Sequence, residues 1–242
     1  MKAIVTGHAR GLGLALAGEL LSRQIPVLGL ARGDAVALQQ RYGALLQQHA
    51  LDLADTGALQ RWLAGAALAD FLAGEEQVLL LNNAGSVQPI GRADQHHPDA
   101  IATAIALNVS APLMLASAFL AAAPQAKQRR ILHLSSGAAV QAYPGWSIYC
   151  ASKAALDHHA RALAADGIAG VRVCSLAPGV IDTDMQAEIR ASDSAGFPQR
   201  QRFEQLKADG QLSTPAQCAR QVLDYLLGPD FGSQPRADLR QL

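Results

Sequence analysis

The sequence predicts an α/β chain: a doubly wound, mainly parallel sheet of about seven strands flanked by helices. Three observations predict it. Short apolar runs alternate with helical patterns along the whole length, a glycine-broken turn follows the first run directly, and half of the 242 residues are apolar with no linker-like interruption. A chain of this size and apolarity has enough material for one substantial core, so 1–242 is read as a single domain. In such sheets ligands lie outside the carboxyl ends of the strands.

The first strand is read at 2–6, Lys-Ala-Ile-Val-Thr, an apolar run fit for a buried parallel strand. It enters the turn Gly7-His8-Ala9-Arg10-Gly11-Leu12-Gly13 and then an amphipathic helix over 14–21. Glycines let the backbone turn sharply and approach a pyrophosphate, and the opening N–H groups of the helix face it with partial positive charge. This is a dinucleotide cradle; the alternative is a tight strand-to-helix turn without a ligand. Further strands are expected at 26–31, 49–51, 78–81, 130–134, 171–177 and 236–239, with helices at 35–42, 56–72, 99–123, 147–164 and 215–227. The least regular stretch, 182–210, is polar and glycine-broken, either a substrate lid or a surface excursion.

Charge narrows the partners. Twenty basic and twenty acidic residues leave no excess to recruit nucleic acid or an anionic membrane, so neither is expected as a partner. No apolar run of membrane-spanning length is expected, nor a leader before the first strand, which gives a soluble cytoplasmic protein as the expectation. Cys150, Cys174 and Cys218 lack metal-ligand spacing and cannot all pair, which suits a reducing compartment. His96-His97 and His158-His159 are read as solvated loop and helix-surface imidazoles, and no metal is expected.

The chemistry sits in Ser147-Ile-Tyr149-Cys-Ala-Ser-Lys153. Four residues make about one helical turn, so phenol and ammonium project from one face and couple electrostatically. Alone, the pair fits an exposed helix equally well. A ketone that accepts hydride develops alkoxide charge, and needs a donor to stabilise it and an acid to protonate it. Tyr149 is the candidate acid. A free phenol titrates near ~10, so reaching neutrality takes roughly three units, or about 4 kcal/mol of preference for the phenolate. Lys153 and an oxidised nicotinamide would supply it.

Four motifs then fall in order: Thr6-Gly7-x-x-x-Gly11-x-Gly13, Asn82-Asn83-Ala84-Gly85, Ser136 with Tyr149 and Lys153, and Pro178-Gly179 followed by Thr183. Together they resemble the classical short-chain dehydrogenase/reductase family over nearly the whole chain. The resemblance implies a Rossmann fold and a small-molecule carbonyl substrate. It makes Ser136, thirteen residues before Tyr149, the donor to the substrate carbonyl, although Ser136 would also serve as a turn cap and Ser135 adjoins it. It places Asp52 and Leu53 beside the adenine, and Asn83, Ala84 and Gly85 beside the adenosine. Asn83 serves equally to stabilise the central sheet. Asn108 becomes the holder of a water that links Lys153 to solvent; the alternative is a buried, hydrogen-bonded kink. Pro178, Gly179, Val180, Ile181 and Thr183 close over the nicotinamide, which makes 182–210 a lid, and pairing through 99–123 and 147–164 gives a homodimer or homotetramer.

Cofactor choice turns on Leu30-Ala31-Arg32-Gly33. No carboxylate stands at the strand end to accept from a ribose, whereas Arg32 suits a 2′-phosphate and Arg10 matches a basic position of NADP-dependent relatives. NADP(H) is expected over NAD(H); Asp34 nearby keeps NAD(H) open. The segment Ala177-Pro-Gly-Val-Ile-Asp-Thr-Asp-Met-Gln186, with Phe203, the 206–210 stretch and Asp238, resembles the sepiapterin reductase and benzil reductase branch. That implies reduction of ketones, often vicinal diketones, with Asp238 at the position that anchors a pterin amino group. Trp146, with Tyr143 and Pro144, either walls a pocket for aromatic substrates or packs against the helix. The expected function is an NADPH-dependent carbonyl reductase. An alcohol dehydrogenase working in the oxidative direction and a dinucleotide sensor without turnover are the alternatives.

Overall fold

The computed structural model describes residues 1–194 and 196–242. Seven strands, β1 (Lys2–Thr6), β2 (Val27–Ala31), β3 (Leu46–Ala50), β4 (Gln77–Asn82), β5 (Gln128–Leu134), β6 (Val171–Ala177) and β7 (Arg236–Asp238), form one sheet in the order β3-β2-β1-β4-β5-β6-β7. Every pairing is parallel. The order reverses at β1, so the crevice between the carboxyl ends of β1 and β4 is the switch point where ligands bind.

Alternation along the strands divides the core into two layers. Ala3, Val5, Leu79 and Leu81 face one side, where α1 (Gly11–Ser22) and α10 (Pro215–Leu227) pack through Leu16, Leu20, Val222 and Leu226. Ile4, Val78 and Leu80 face the other, against α3 (Thr56–Leu63), α4 (Ala67–Leu72) and α6 (Ala111–Ala122) through Leu59, Phe71, Leu115 and Phe119. Strands buried on both faces read as continuous apolar runs, which is why β1 and β4 were legible.

The structure corrects several expected boundaries. The third strand begins at Leu46, not at residue 49, because its edge position leaves Gln47, Gln48 and His49 without the apolar run of a central strand. The expected helix over 56–72 is two helices, broken at Ala64–Gly65–Ala66, where the Gly65 N–H turns back to the Trp62 carbonyl. The stretch 182–210, read as irregular, carries α8 (Asp184–Arg190) and α9 (Arg200–Ala208). Their short amphipathic turns bury Ile189 and Phe203 amid polar residues.

The helix expected at 99–123 starts as α5 (Pro98–Ile105), widens into a π-turn over Ala106–Ser110 and continues as α6. Pro112 has no N–H for the Asn108 carbonyl four residues back, and the wide turn absorbs the mismatch, with Ala111 N–H reaching Ala106 O. Contrary to expectation, this 25-residue stretch, Pro98–Ala122, is long and apolar enough to cross a membrane. Here Ala111, Leu115, Ala116 and Phe119 pack on the sheet, as in a core helix.

Helix α7 (Ser147–Ala165) is fastened to the sheet by one buried carboxylate. Asp157 Oδ1 accepts from Ser135 Oγ at 2.6 Å and from Ser175 Oγ at 2.7 Å, and Oδ2 accepts from Arg236 Nε at 3.1 Å. Removing it leaves two buried hydroxyls and a guanidinium without their acceptor. Asp157→Ala is expected to lower stability by about 3 kcal/mol, read as a fall in the urea denaturation midpoint at pH 7.

Candidate active site

The glycine turn is shaped by backbone. Gly7 and Gly11 adopt φ of +69° and +56°, the left-handed region open to glycine, and a methyl on Gly13 would overlap the Gly7 carbonyl and stand 2.5 Å from Asn83 Nδ2. Thr6 and Asn83 hold the turn against β4. Thr6 Oγ1 accepts from the Asn83 and Ala84 N–H groups at 2.9 Å, and Asn83 Nδ2 donates to Thr6 O at 2.9 Å. Asn83 therefore stabilises the central sheet while lining the crevice. Helix α1 starts at Gly11, and Arg10 at its N-cap provides no side-chain acceptor, so the opening N–H groups are left to an anion. Ala9 and Leu12 follow the same path, Leu12 packing into the core.

His8 turns inward, its ring lying over Gly29 and its Nε2 bonding Gln48 Oε1 at 2.8 Å; burial holds its pKa below the ordinary imidazole value. Arg32 and Asp34 are exposed just beyond β2, and Arg10 reaches Asp184 at 3.8 Å across solvent. Asp52 is exposed and accepts from Ala54 N at 2.9 Å, while Leu53 enters the core. Pro178 and Gly179 follow β6, Val180 and Ile181 pair with Ser213, and Thr183 lies beside Gly11, so the 178–183 segment borders the glycine turn.

On the other side of the crevice Tyr149, Lys153 and Ser136 come together. Lys153 Nζ donates to Leu134 O at 2.7 Å and lies 5.7 Å from the centre of the Tyr149 ring. Ser136 Oγ accepts from Ala138 N at 3.2 Å, capping its turn, and stands near enough to the Tyr149 hydroxyl to pull its pKa down. Ser135 is committed to Asp157, which separates the two serines. Asn108 is buried within the π-turn: Nδ2 donates to Ser86 O at 2.8 Å and Ser152 Oγ at 3.3 Å, and Oδ1 accepts from Ser86 N at 2.9 Å. It is thus a hydrogen-bonded kink that also stands beside Gly85 and Lys153, since a methyl on Gly85 would meet Asn108 Oδ1 at 3.3 Å and Lys153 Nζ at 3.6 Å.

Electrostatics differ from the expected acidified phenol. Burial pushes Tyr149 up to about 12, against a smaller downward pull from Ser136. Burial likewise pushes Lys153 down to about 8, with the Asp157 charge opposing. The protein's own groups therefore keep the phenol protonated at neutral pH.

Trp146 is buried against Tyr149, ring centres 5.2 Å apart, and stacks on Phe197 at 4.5 Å. Its Nε1 has no partner among the described residues. Phe197, Phe203, Ile189 and Val87 complete this aromatic cluster, and of these four sequence reading found only Phe203; the signal was buried-type aromatics within a polar stretch. Asp238 caps the last turn, and its carboxylate is bound by Arg240 at 2.9 and 2.6 Å, with Arg240 packed on Gly179. The histidine reading needs correction. His159 is no free surface imidazole, for its Nδ1 lies 3.1 Å from Nε2 of buried His133, whose pKa burial lowers to about 3.

The family model for short chain dehydrogenase matches residues 1–194. The chain belongs to the short-chain dehydrogenase family. This short-chain dehydrogenase is 34% identical to a benzil reductase ((S)-benzoin forming) of Bacillus subtilis, with 92% of each chain covered. It is 31% identical to sepiapterin reductase of Meriones unguiculatus, covering 97% of this chain and 94% of the other. Among solved structures, a short-chain dehydrogenase/reductase from Burkholderia vietnamiensis shares 46% identity at a TM-score of 0.73, covering 100% of this chain and 97% of that one. It is accordingly an oxidoreductase of the sepiapterin and benzil reductase-like branch, in a family that uses nicotinamide dinucleotides. The residues present fit such a cofactor: a methyl at position 13 would overlap the turn, and the first turn of α1 carries no competing cap.

The charge on Lys153 opposes folding wherever it must be kept while buried. Its folded value, about 8, lies below the ordinary 10.5, so between those values the unfolded chain binds more protons and stability rises with pH. Lys153→Met is expected to raise the urea midpoint at pH 7. The gap to the parent protein should narrow as pH climbs from 8 to 10.5.

Proposed function

We propose that this short-chain dehydrogenase is an NADPH-dependent carbonyl reductase acting on ketones and vicinal diketones. One observation carries the reading: the Tyr149 phenol stands beside Ser136 and within one turn of Lys153, across the crevice from the glycine turn, a donor set suited to protonating a carbonyl oxygen. The same residues serve reduction and alcohol oxidation alike, so the reductive direction is read from kinship. The kinship with benzil and sepiapterin reductases supports a carbonyl substrate.

The nicotinamide supplies the hydride. Ser136 donates its hydroxyl to the substrate carbonyl oxygen, and Tyr149 donates the phenolic proton as negative charge grows there. Lys153, held by the Leu134 carbonyl, stabilises the phenolate left behind and returns a proton to it. Asn108 fixes the loop at Ser86 that borders the lysine, and is the residue through which a water would reconnect Lys153 to solvent. Trp146, Phe197 and Phe203 form an aromatic wall beside the acid, suited to the aryl groups of a diketone. Helices α8 and α9 serve as the lid, and Asp238, one residue ahead of Leu239 at the sheet edge, reaches the substrate only if it exchanges Arg240 for it.

Arg32, exposed past β2 where no carboxylate stands, takes the 2′-phosphate, with Arg10 beside the turn. Pairing of two copies through the apolar Pro98–Ala122 helix, less than half of it buried, and α7 gives a dimer or tetramer.

Tyr149→Phe is expected to cut kcat for benzil reduction by about a thousandfold while NADPH still binds, measured by steady-state assay and by NADPH fluorescence. Near-full turnover would remove Tyr149 as the acid. Arg32→Ala should raise the Kd for NADPH by about tenfold or more and that for NADH by less than about threefold, in the same fluorescence titration.

A further inference from the structure

One side-chain oxygen ties the glycine turn to the segment that carries Arg32. Gln48, in the middle of edge strand β3, accepts at Oε1 from His8 Nε2 at 2.8 Å and from the Ala35 backbone N–H at 2.7 Å. Its own Nε2 donates to Gln39 Oε1 at 3.0 Å, which fixes the amide so that the oxygen faces both donors. Gln39 is in turn held by α2 (Val36–Tyr42), its backbone N–H bonded to Ala35 O at 2.9 Å and its side chain to Gly43 O at 2.9 Å.

The two donors belong to the two ends of the cofactor crevice. His8 is the second residue of the glycine turn, and its ring occupies the space over β2 that only a glycine at 29 leaves open: a methyl there would stand 2.5 Å from the ring. Burial keeps this imidazole neutral, with the proton on Nε2 to meet Gln48, and leaves Nδ1 without a partner among the described residues. Ala35 closes the loop Arg32-Gly33-Asp34. That loop leaves the sheet at Ala31, whose carbonyl accepts from Leu51 N at 2.8 Å, and is anchored again at Ala35, which is buried. Between the anchors there is little to position it. A methyl on Gly33 would meet nothing within 4 Å, and Arg32 and Asp34 are exposed.

We propose that Gln48 is a positioning residue for cofactor choice: by bonding His8 and Ala35 N–H through one oxygen, it sets the distance from the glycine turn to the Arg32 loop and so presents Arg32 to the 2′-phosphate of NADPH. The inference rests on the reading of Arg32 as the phosphate-binding residue. A loop held at both ends meets its ligand with less ordering cost than a free one, and the gain falls on the ligand that uses the loop. NADH, lacking the phosphate, draws nothing from it.

The test is a double-mutant cycle read by NADPH and NADH fluorescence titration. Gln48→Leu keeps the volume and removes the acceptor. It is expected to raise the Kd for NADPH by about tenfold and to leave that for NADH within about twofold. In an Arg32→Ala background the same change should no longer affect NADPH, because the two residues act in series. Equal weakening of both cofactors, no weakening of either, or a Gln48→Leu effect that persists without Arg32 would each overturn the proposal. Should Gln48→Leu fail to fold, Gln39→Leu on the surface of α2 frees the Gln48 amide to rotate; an NADPH-selective loss of about threefold supports the proposal and an unselective result overturns it. Arg32→Ala alone separates the two levels. If that variant does not discriminate between the cofactors, the phosphate reading itself falls, whereas a selective Arg32→Ala with an unselective Gln48→Leu removes only the role of Gln48.

Discussion

Helix α7 sits on the carboxyl end of β5 in a fixed register, and the site depends on that seating. Tyr149, Lys153 and Asp157 recur one turn apart on a single face, and they meet Ser136, the Leu134 carbonyl and Ser135 respectively. Sliding the helix by one residue would rotate all three away from their partners. Asp157 does the fastening, with both oxygens committed to Ser135, Ser175 and Arg236, so the nearby lysine hydrogen-bonds a neutral carbonyl instead.

The opposite wall of the crevice is held by the main chain. Thr6 Oγ1 receives two successive N–H groups of the β4 loop, and the Asn83 amide returns to Thr6 O, which draws two strand ends so close that residue 13 has no room for a side chain. A cleft built this way has little freedom to relax. The cost appears on the other side, where an ammonium and a phenol are both stripped of water and both pushed toward their neutral forms.

Much of this was readable in the residues, for identifiable reasons. Central strands β1 and β4 are apolar on both faces, and the chemical groups are spaced by the helical turn or by glycines that tolerate no replacement. Edge strand β3 was placed late because Gln47, Gln48 and His49 carry no burial signal, although Gln48 proves to be a junction of the polar network. Trp146, Tyr143 and Phe203 were legible members of the aromatic cluster, but Phe197 was not, because it lies 51 residues from Trp146 in sequence yet stacks on it in space. The phenol's upward shift escaped too, since it follows from burial by α8, α9 and the 137–147 loop, which no local motif encodes.

Strand β1 lies at the middle of the sheet, yet its two neighbours are made at very different times. Val5 pairs on one side with Gly29 and on the other with Leu81, so during synthesis its second edge stays open until β4 has emerged. An apolar strand with a bare edge is a template for mispairing with other chains. The nascent chain therefore carries a bare apolar edge until β4 has cleared the ribosome, and that open edge then passes to β4 itself until β5 pairs with it.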